Sequence, residues 1–310
     1  MRILFMGTPD FALFSLRALV EAGEDVIGVV TQPDKPKGRG YALTPPPVKV
    51  YAAERGIPVY QPTTLRGEEF AALLSELDPE LLVVAAFGKI LPANVLDYPQ
   101  YGCINIHGSL LPEYRGAAPM QRAIIDGKPK TGITTMMMDV GLDTGDMLLT
   151  EEIAIEEQDN FETIHDKLGE CGARVLLRTL EALRAGTLVR HKQDDSLATY
   201  AAKIEKSDCL IDFSRDAKAV HDQIRGLSPI PLAFTHTPDG KMLKVIATER
   251  VALPSDATAG QVLSLDGGKI TVACGSGAIA LLTVLPEGKK RMSAADFING
   301  RKINVGDVLS

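Results

Sequence analysis

An α/β fold followed by a smaller β-rich part is predicted by three features of the sequence. Strand and helix patterns alternate through the first half of the chain. The run LLVVAAFG at 81–88 is continuously apolar, which is typical of a parallel strand covered on both faces. Short strands separated by turn signals follow residue 209. We predict a Rossmann-like, open, parallel-type sheet over 1–189, a linker over 190–208 and a small open β-barrel, resembling the oligonucleotide-binding type, over 209–310.

The elements of the first part follow from hydrophobic periodicity and from breaker residues. Thr8 is predicted to cap the first helix, with Pro9 in the first helical position. The segment 32–49 is rich in glycine and proline, so we expect an exposed loop without regular structure. The patterns predict strands at 2–6, 25–31, 57–60, 81–88, 103–107 and 132–139, and helices at 9–22, 48–55, 67–77 and 117–126.

The second part has a different pattern. The stretch RHKQDDSLATYAAKIEKSD at 190–208 is polar and has no strong period, which predicts a linker. A helix is expected at 216–226, and turns are expected at 239–240, 266–268 and 275–277, where glycines interrupt short apolar runs. Several short strands at this spacing favour a small barrel.

Composition limits the classes of protein. The net charge is −7, with 17 Lys and Arg against 26 Asp and Glu in residues 1–186, but 16 against 14 in residues 187–310. This asymmetry indicates different partners for the two parts. The four cysteines are far apart and form no CxxC pair, which indicates reduced cytosolic thiols. The apolar runs are too short for a signal-peptide core or a membrane span.

Two polar side chains share one face of the predicted strand CINIH at 103–107. Alternation in a strand places Ile104 and Ile106 on one face, and Asn105 and His107 on the other. Ligands of open α/β sheets bind beyond the carboxyl ends of the strands, where this pair lies. A histidine there can act as a general acid or base, and an asparagine can donate to a developing oxyanion. The alternative is that both side chains only cap strand or loop groups.

A carboxylate candidate lies in MDVGLDTGD at 138–146. Asp143 stands between Gly141 and Gly145, and a carboxylate near His107 would stabilise the imidazolium. Asp139 and Asp146 lie close in sequence, so a metal site is a second interpretation and a simple Asp-Gly turn a third. No GxGxxG, GxSxG or GxxxxGK[ST] motif is present, which removes support for a dinucleotide, a serine nucleophile elbow or a P-loop.

The segments NIHGSLLPEYRGAAP at 105–119 and MDVGLDTGDML at 138–148 resemble the signature pair of the folate-dependent formyltransferases. The segments GTPDFA, TQPDKPKGRG and LSPIPLAF extend the similarity over nearly the whole chain. The resemblance implies that Asn105, His107 and Asp143 are the catalytic residues. It also implies that the stretch Ser109, Leu110, Leu111, Pro112 contacts folate.

The resemblance further implies a reaction and its partners. The formyl group of 10-formyltetrahydrofolate would pass to the α-amino group of methionine on initiator tRNA, without a metal. The resemblance places Arg39, in its Gly-Arg-Gly context, in a loop that contacts tRNA, and the positive charge of the 32–49 segment adds Lys35 and Lys37 as candidate phosphate contacts. A cytoplasmic monomer is expected. Further phosphate contacts in the second part could come from basic residues there, namely Lys203, Lys206, Lys289, Lys290, Arg291, Arg301 and Lys302.

Three alternatives remain open at this point. A related enzyme could formylate a small amine such as an amino sugar, a hydrolase could release formate from the same folate, and a non-catalytic protein could bind RNA through the barrel. Glu113 departs from the basic residue that many relatives carry after SLLP, but it does not touch the predicted catalytic residues.

Overall fold

A computed structural model gives the fold and describes residues 1–37, 42–252 and 257–310. The chain forms two compact units that alternate along the sequence. The first unit comprises 1–116, 132–153 and 165–200, and the second comprises 117–131, 154–164 and 201–310. Because each unit draws on several segments, the linear boundaries at 189 and 208 stay a prediction.

The helices of the described chain are α1 (Asp10–Glu21), α2 (Pro47–Glu54), α3 (Glu68–Leu77), α4 (Ala93–Leu96), α5 (Pro119–Ile125), α6 (Phe161–Arg184), α7 (Ala217–Gly226) and α8 (Ala294–Asn299). The strands are β1 (Arg2–Gly7), β2 (Asp25–Val30), β3 (Lys35–Lys37), β4 (Ala42–Thr44), β5 (Val59–Tyr60), β6 (Leu81–Ala85), β7 (Cys103–His107), β8 (Arg115–Gly116), β9 (Lys130–Met137), β10 (Met147–Ala154), β11 (Tyr200–Ala201), β12 (Ala233–His236), β13 (Met242–Val251), β14 (Val262–Ser264), β15 (Ile270–Ala273), β16 (Ala278–Pro286) and β17 (Met292–Ser293).

The first unit contains the predicted open sheet, with strand order β10-β9-β7-β6-β1-β2-β5. The pairs β1–β2, β1–β6, β2–β5 and β6–β7 are parallel, so the mostly parallel α/β class is confirmed. The strand β9 instead runs antiparallel to β7. The connection between these two strands carries α5, which belongs to the second unit, and it therefore supplies no crossover helix to this sheet.

The beginning of α1 differs from the prediction. The helix starts at Asp10, after Pro9, and no side chain caps it. The Thr8 hydroxyl instead donates to the Phe87 carbonyl oxygen over 3.2 Å and accepts from the Gln32 amide over 3.3 Å. Thr8 therefore ties together the loops that follow β1, β2 and β6.

The expectation that 32–49 lacks regular structure is wrong for part of this segment. The strands β3 and β4 pair in antiparallel register, with Lys35 opposite Thr44. Beyond the hairpin, Lys49 binds the Asp34 carboxylate, with 2.8 Å between Nζ and each carboxylate oxygen. This ion pair removes Lys49 from the charges that a partner could contact freely.

The two faces of the first sheet are covered differently. One face packs against α3 and α4 through an apolar cluster that includes Met6, Phe70 and Val84. The other face meets α6 closely, because a Cβ added at Gly172 would lie 3.1 Å from the Ile106 Cγ2 atom. The helices thus fix both faces of β7, the strand that carries the predicted site.

The second unit contains an antiparallel sheet of order β12-β13-β16-β15-β14, with β17 paired to β16. It curls into a half-barrel, in agreement with the predicted open barrel. The helix α7 packs on this sheet, and the Asp216 side chain caps it by accepting from the Ala219 amide over 2.9 Å. The predicted turns fall between β12 and β13, β14 and β15, and β15 and β16.

The cysteines Cys103, Cys171, Cys209 and Cys274 are all buried and free. Burial raises the pKa of the Cys103 thiol to about 12. None of the helices in the described parts of the chain combines the length and the apolar character that a membrane span requires.

Candidate active site

The predicted pair Asn105 and His107 lies at the carboxyl end of β7, on the strand face that packs towards α4. Cys103 shares this face, and its Sγ atom lies 3.6 Å from the Leu96 carbonyl oxygen of α4. Asn105 is half-buried and His107 is buried. The strand therefore places both polar groups at the sheet edge where ligands of such folds bind.

A backbone carbonyl fixes the orientation of the His107 ring. The Nε2 atom lies 3.0 Å from the Tyr114 carbonyl oxygen. Because a carbonyl oxygen only accepts, Nε2 carries a proton in this contact. In the neutral ring the lone pair is then on Nδ1, which lies 3.7 Å from Asp143 Oδ2. The structure thus brings His107 and Asp143 together, at a distance that suits a charge pair but exceeds a direct hydrogen bond.

The loop that carries Asp143 has its own polar support. Asp143 has a φ of 54°, in the left-handed region that non-glycine residues rarely adopt. Its Oδ2 atom accepts from the Gly116 amide over 2.8 Å. Asp139 accepts from the Gly141 amide over 3.0 Å and from the Thr144 hydroxyl over 2.7 Å, so it closes the loop internally. These contacts aim the Asp143 carboxylate at the imidazole.

Gly145 is required by a close approach. A Cβ at this position would overlap the Met137 carbonyl oxygen at the end of β9. The loop can therefore return against β9 only because residue 145 has no side chain. Metal ligation by this loop finds no support in the described residues, among which no group of three His, Cys, Asp or Glu side chains is arranged to hold an ion.

Asn105 has unused hydrogen-bonding capacity. It lies opposite Met136 in the β7–β9 register, two positions before His107 on the same face. Within the described parts of the chain, no hydrogen bond to its carboxamide is found. The amide can therefore donate to a bound group without breaking an existing contact.

The stretch predicted to contact folate forms a tight turn after β7. Ser109 is fully buried, and its hydroxyl donates to the Glu113 carbonyl oxygen over 2.6 Å. Thr134 donates to the Ser109 carbonyl oxygen and accepts from the Leu111 amide. Leu110 and Pro112 are half-buried, and Leu111 is buried. Folate contact by Ser109, Leu110, Leu111 and Pro112 stays a prediction, in which Leu110 and Pro112 have the more accessible surfaces.

The predicted tRNA residues are only partly described. Lys35 is exposed on β3, and Lys37 ends the same strand. Arg39 lies outside the described residues. Their contact with tRNA stays a prediction.

Sequence reasoning missed four residues that hold this site. Tyr114 carries the carbonyl that binds His107, while Gln193 donates to the Asp143 carbonyl oxygen over 2.8 Å. The Arg115 guanidinium binds Gln193, and Thr199 accepts from the Tyr114 amide over 2.8 Å. Tyr114 and Arg115 lie inside the quoted motif NIHGSLLPEYRGAAP, which could have singled them out. Gln193 and Thr199 lie in the polar stretch interpreted as a linker, where no local pattern marked them.

The site combines a histidine, a carboxylate and an amide at the carboxyl end of an open α/β sheet, and this set of groups is suited to group transfer. Comparison with known proteins identifies the family. The Formyl transferase model matches residues 1–180, and the Formyl transferase, C-terminal domain model matches residues 203–302. The chain therefore belongs to the formyl transferase family. This confirms the resemblance based on the two motifs.

Relatives named methionyl-tRNA formyltransferase match along the full length. The protein of Citrifermentans bemidjiense is 50% identical over 309 residues, which cover 100% of this chain and 96% of the relative. That of Bacillus subtilis is also 50% identical over 309 residues, which cover 99% and 97%. Both parts of the chain therefore have counterparts in these relatives.

Solved structures support the fold alone, because their identities are low. The sugar 3N-formyl transferase WlaRD is 17% identical, with a TM-score of 0.66, and the match covers 94% of this chain and 99% of WlaRD. HypX from Aquifex aeolicus in complex with tetrahydrofolic acid is 17% identical, with a TM-score of 0.65. That match covers 98% of this chain but only 48% of HypX.

Proposed function

We propose that the chain transfers the formyl group of 10-formyltetrahydrofolate to the α-amino group of methionine attached to initiator tRNA. The observation that carries the proposal is the 50% identity to methionyl-tRNA formyltransferases across 100% of this chain. The position of His107 and Asp143 at the carboxyl edge of the sheet agrees with such a reaction. The proposal includes a cytoplasmic location, since the acceptor is a component of translation, and a monomer as the simplest assembly.

The reaction assigns a role to each predicted catalytic residue. The amine nitrogen attacks the formyl carbon, a new C–N bond forms, and the bond from that carbon to the folate nitrogen breaks. Asn105 donates to the oxyanion that develops on the formyl oxygen, a contact typically worth about 3 kcal/mol. No covalent bond to the enzyme is required.

Proton transfer falls to the His107–Asp143 pair. The attacking amine loses a proton and the folate nitrogen gains one. His107 Nδ1 is the ring atom with a free lone pair, because Nε2 is held by the Tyr114 carbonyl. A proton accepted on Nδ1 would face the Asp143 carboxylate 3.7 Å away, which stabilises the imidazolium until the proton is passed on.

Recognition of tRNA is proposed for the basic residues near β3. Lys35 and Lys37, with Arg39, supply positive charge beside an otherwise acidic first half of the chain. Phosphate contacts of this kind position a nucleic acid and make its binding sensitive to salt.

The test compares acceptors for labelled formyl from 10-formyltetrahydrofolate, namely charged methionyl-tRNA, free methionine and an amino sugar. We expect transfer to the charged tRNA alone. Arg39→Ala should raise KM for tRNA and reduce its salt dependence by about one unit of slope. The matched control is Arg178→Ala, which removes the same charge from an exposed side chain of α6.

Each other outcome contradicts part of the proposal. Transfer to the amino sugar would favour a small-amine enzyme, and formate release without an acceptor would favour a hydrolase. Equal effects of Arg39→Ala and Arg178→Ala would show that the basic segment does not recognise tRNA.

A further inference from the structure

The 191–199 segment, predicted to be part of a linker, lies against the candidate active site. His191 pairs with Met147 through two backbone hydrogen bonds of 2.8 and 2.9 Å. From there the segment continues past the Asp143 loop and reaches the loop after His107. The segment therefore contacts both sides of the site. Gln193 binds the Asp143 loop, and Thr199 binds Tyr114, whose carbonyl oxygen accepts from His107.

Gln193 uses its whole side-chain amide on the site. Its Nε2 atom donates to the Asp143 carbonyl oxygen over 2.8 Å and to the Gly145 carbonyl oxygen over 2.7 Å. Its Oε1 atom accepts from Arg115 Nε over 3.0 Å and from Arg115 Nη2 over 2.9 Å. A glutamine amide has two donor hydrogens and two acceptor lone pairs, so each one has a partner.

Arg115 is the anchor behind Gln193. Only 2% of the residue is exposed, and its guanidinium also binds the Asp195 carboxylate over 2.7 Å. Burial opposes this charge, but hydrogen bonds with Asp195 and Tyr200 raise the pKa of Arg115 above its usual value. Arg115 therefore stays positively charged, and its two hydrogen bonds hold the Oε1 atom of Gln193 in place.

Thr199 makes the corresponding contact with the other half of the pair. Its hydroxyl accepts from the Tyr114 amide over 2.8 Å, and its carbonyl oxygen accepts from the Arg115 amide over 2.9 Å. Tyr114 has a φ of 60°, and its carbonyl oxygen is the one bound by His107 Nε2. Thr199 therefore holds the peptide that sets the direction of the imidazole.

The Asp143 loop needs such support because apolar packing does not supply it. Val140 and Leu142 are exposed over 76% and 59% of their surfaces, and Asp143 is in the left-handed region. A loop of this kind is held by hydrogen bonds to its backbone rather than by burial.

We propose that Gln193 and Thr199 are positioning residues that hold Asp143 and His107 in the geometry required for formyl transfer. The inference rests on the proposed function. Neither side chain touches the reacting groups, and each acts through a backbone group of the loop that it binds.

The first test uses Gln193→Glu, which keeps the acceptor oxygen of the side chain and removes its NH₂ donor. The carboxylate still accepts from Arg115, so this side of the contact is kept. It has no hydrogen to donate, and it places negative charge against the carbonyl oxygens of Asp143 and Gly145. We expect kcat to fall on the order of 10–100-fold, with KM for folate and tRNA unchanged, because small displacements of a catalytic group have effects of this size.

A matched control exists in the second unit. The Gln223 amide also donates to two carbonyl oxygens, those of Asp208 and Leu210, over 2.9 and 2.8 Å. Gln223→Glu therefore makes the same chemical change at a buried glutamine outside the candidate active site. It should lower the thermal midpoint without changing kcat of the folded enzyme.

A variant of Thr199 and crystal structures of wild type and Gln193→Glu test the inference independently of the kinetics of Gln193→Glu. Thr199→Val removes the acceptor of the Tyr114 amide with little change of volume, and it should also lower kcat at unchanged KM. Crystal structures of wild type and Gln193→Glu should show a changed separation between His107 Nδ1 and Asp143 Oδ2.

The outcomes separate the two proposals. A wild-type enzyme that transfers no formyl group contradicts the proposed function, while the crystal structures still decide the positioning role. An unchanged kcat in Gln193→Glu and Thr199→Val overturns the inference alone. So does a rise in KM without a change in kcat, or an equal loss of kcat in Gln223→Glu.

Discussion

Each unit contains one buried histidine whose ring makes a polar contact, and the two histidines differ in how many ring nitrogens have a hydrogen-bond partner. His107 in the first unit and His221 in the second are exposed over only 6% and 4% of their surfaces. His221 Nδ1 binds the Thr248 hydroxyl over 2.8 Å, and its Nε2 lies 3.4 Å from the Glu157 carbonyl oxygen. His107 has one such contact, and its other nitrogen faces Asp143 across 3.7 Å. Burial alone therefore does not identify a site histidine, and the two buried histidines differ in that one His107 ring nitrogen has no hydrogen-bond partner among the described residues.

The charges around the two rings reinforce this difference. Burial lowers the pKa of His221, and the Arg225 guanidinium acts in the same direction. The hydrogen bond to the Glu157 carbonyl oxygen and the Glu157 and Asp222 carboxylates oppose this shift without reversing it. The His221 ring connects α7 to β13 through the Thr248 hydroxyl and to the 154–164 segment through the Glu157 carbonyl oxygen. His107 has a carboxylate on its open side, which suits an imidazole that accepts and releases protons.

The largest effect is expected from removing each histidine in turn. His107→Ala should lower kcat about 10²–10⁴-fold, because general acid–base catalysis is lost. His221→Ala should leave kcat of the folded enzyme unchanged and reduce the free energy of unfolding by roughly 1–3 kcal/mol, because the buried Thr248 hydroxyl loses its partner. Formyl-transfer kinetics and urea unfolding of both variants measure the two effects. A similar loss of kcat in both variants would show that the two histidines do not differ in their catalytic role.

The next effect concerns the Asp143 carboxylate, which faces the His107 ring nitrogen that has no hydrogen-bond partner among the described residues. Asp143→Asn keeps an oxygen that can accept from the Gly116 amide, but it removes the charge opposite Nδ1. We expect kcat to fall by a factor on the order of 10² or more, with a small change in stability. Kinetics at saturating concentrations of both substrates test this. If Asp143→Asn retained wild-type kcat, Asp143 would only shape the loop.

A smaller effect is expected from the glycine that lets the Asp143 loop return to β9. In Gly145→Ala the new methyl group would overlap the Met137 carbonyl oxygen, a backbone atom that cannot move aside. In the control Gly141→Ala the nearest atom is the Thr144 hydroxyl oxygen, which can move at the cost of its hydrogen bond to Asp139, while no backbone atom of β9 is displaced. We expect Gly145→Ala to lower kcat about 10-fold or more through displacement of Asp143, and Gly141→Ala to do less. Equal kinetics of the two variants would show that the return of the loop does not position Asp143.

The sequence predicted those features that depend on local patterns. The strand CINIH, its polar face and the glycine-flanked Asp143 were all visible, because alternation and turn chemistry are properties of neighbouring residues. The same local reasoning placed α7 and the turns of the second unit to within a few residues.

Other features depend on contacts between distant residues, and the sequence could not reveal them. The contact of Gln193 with Asp143 joins positions 50 residues apart, and that of Thr199 with Tyr114 joins positions 85 apart. Thr8 was expected to cap α1, but tertiary contacts with Gln32 and Phe87 use its hydroxyl instead. The β3–β4 hairpin was missed because proline content argued against regular structure, although a proline is tolerated in a short edge strand.

The smallest expected effect is a pH dependence of stability that distinguishes the buried His221 from an ion-paired histidine. Hydrogen bonding to Asp10 raises the pKa of His165 above its usual 6.5, while burial lowers the pKa of His221 below it. The unfolded chain therefore takes up a proton at position 221 before the folded chain does, so that this contribution to stability is lost as pH falls below 6.5. At position 165 the folded chain binds the proton more tightly, so the contribution is present below 6.5 and is lost as pH rises through the folded pKa.

The variants His221→Asn and His165→Asn should therefore change the pH profile in opposite directions. Between about pH 8 and about pH 5, His221→Asn should lose less stability on acidification than wild type, and His165→Asn should lose more. Urea unfolding at a series of pH values measures both slopes, and each variant serves as the control for the other. If both variants changed the slope in the same direction, the contrast between a buried imidazole with a lowered pKa and an ion-paired one with a raised pKa would not hold. Opposite changes would show that the folded protein binds a proton at His221 less tightly than the unfolded chain does, as its burial implies.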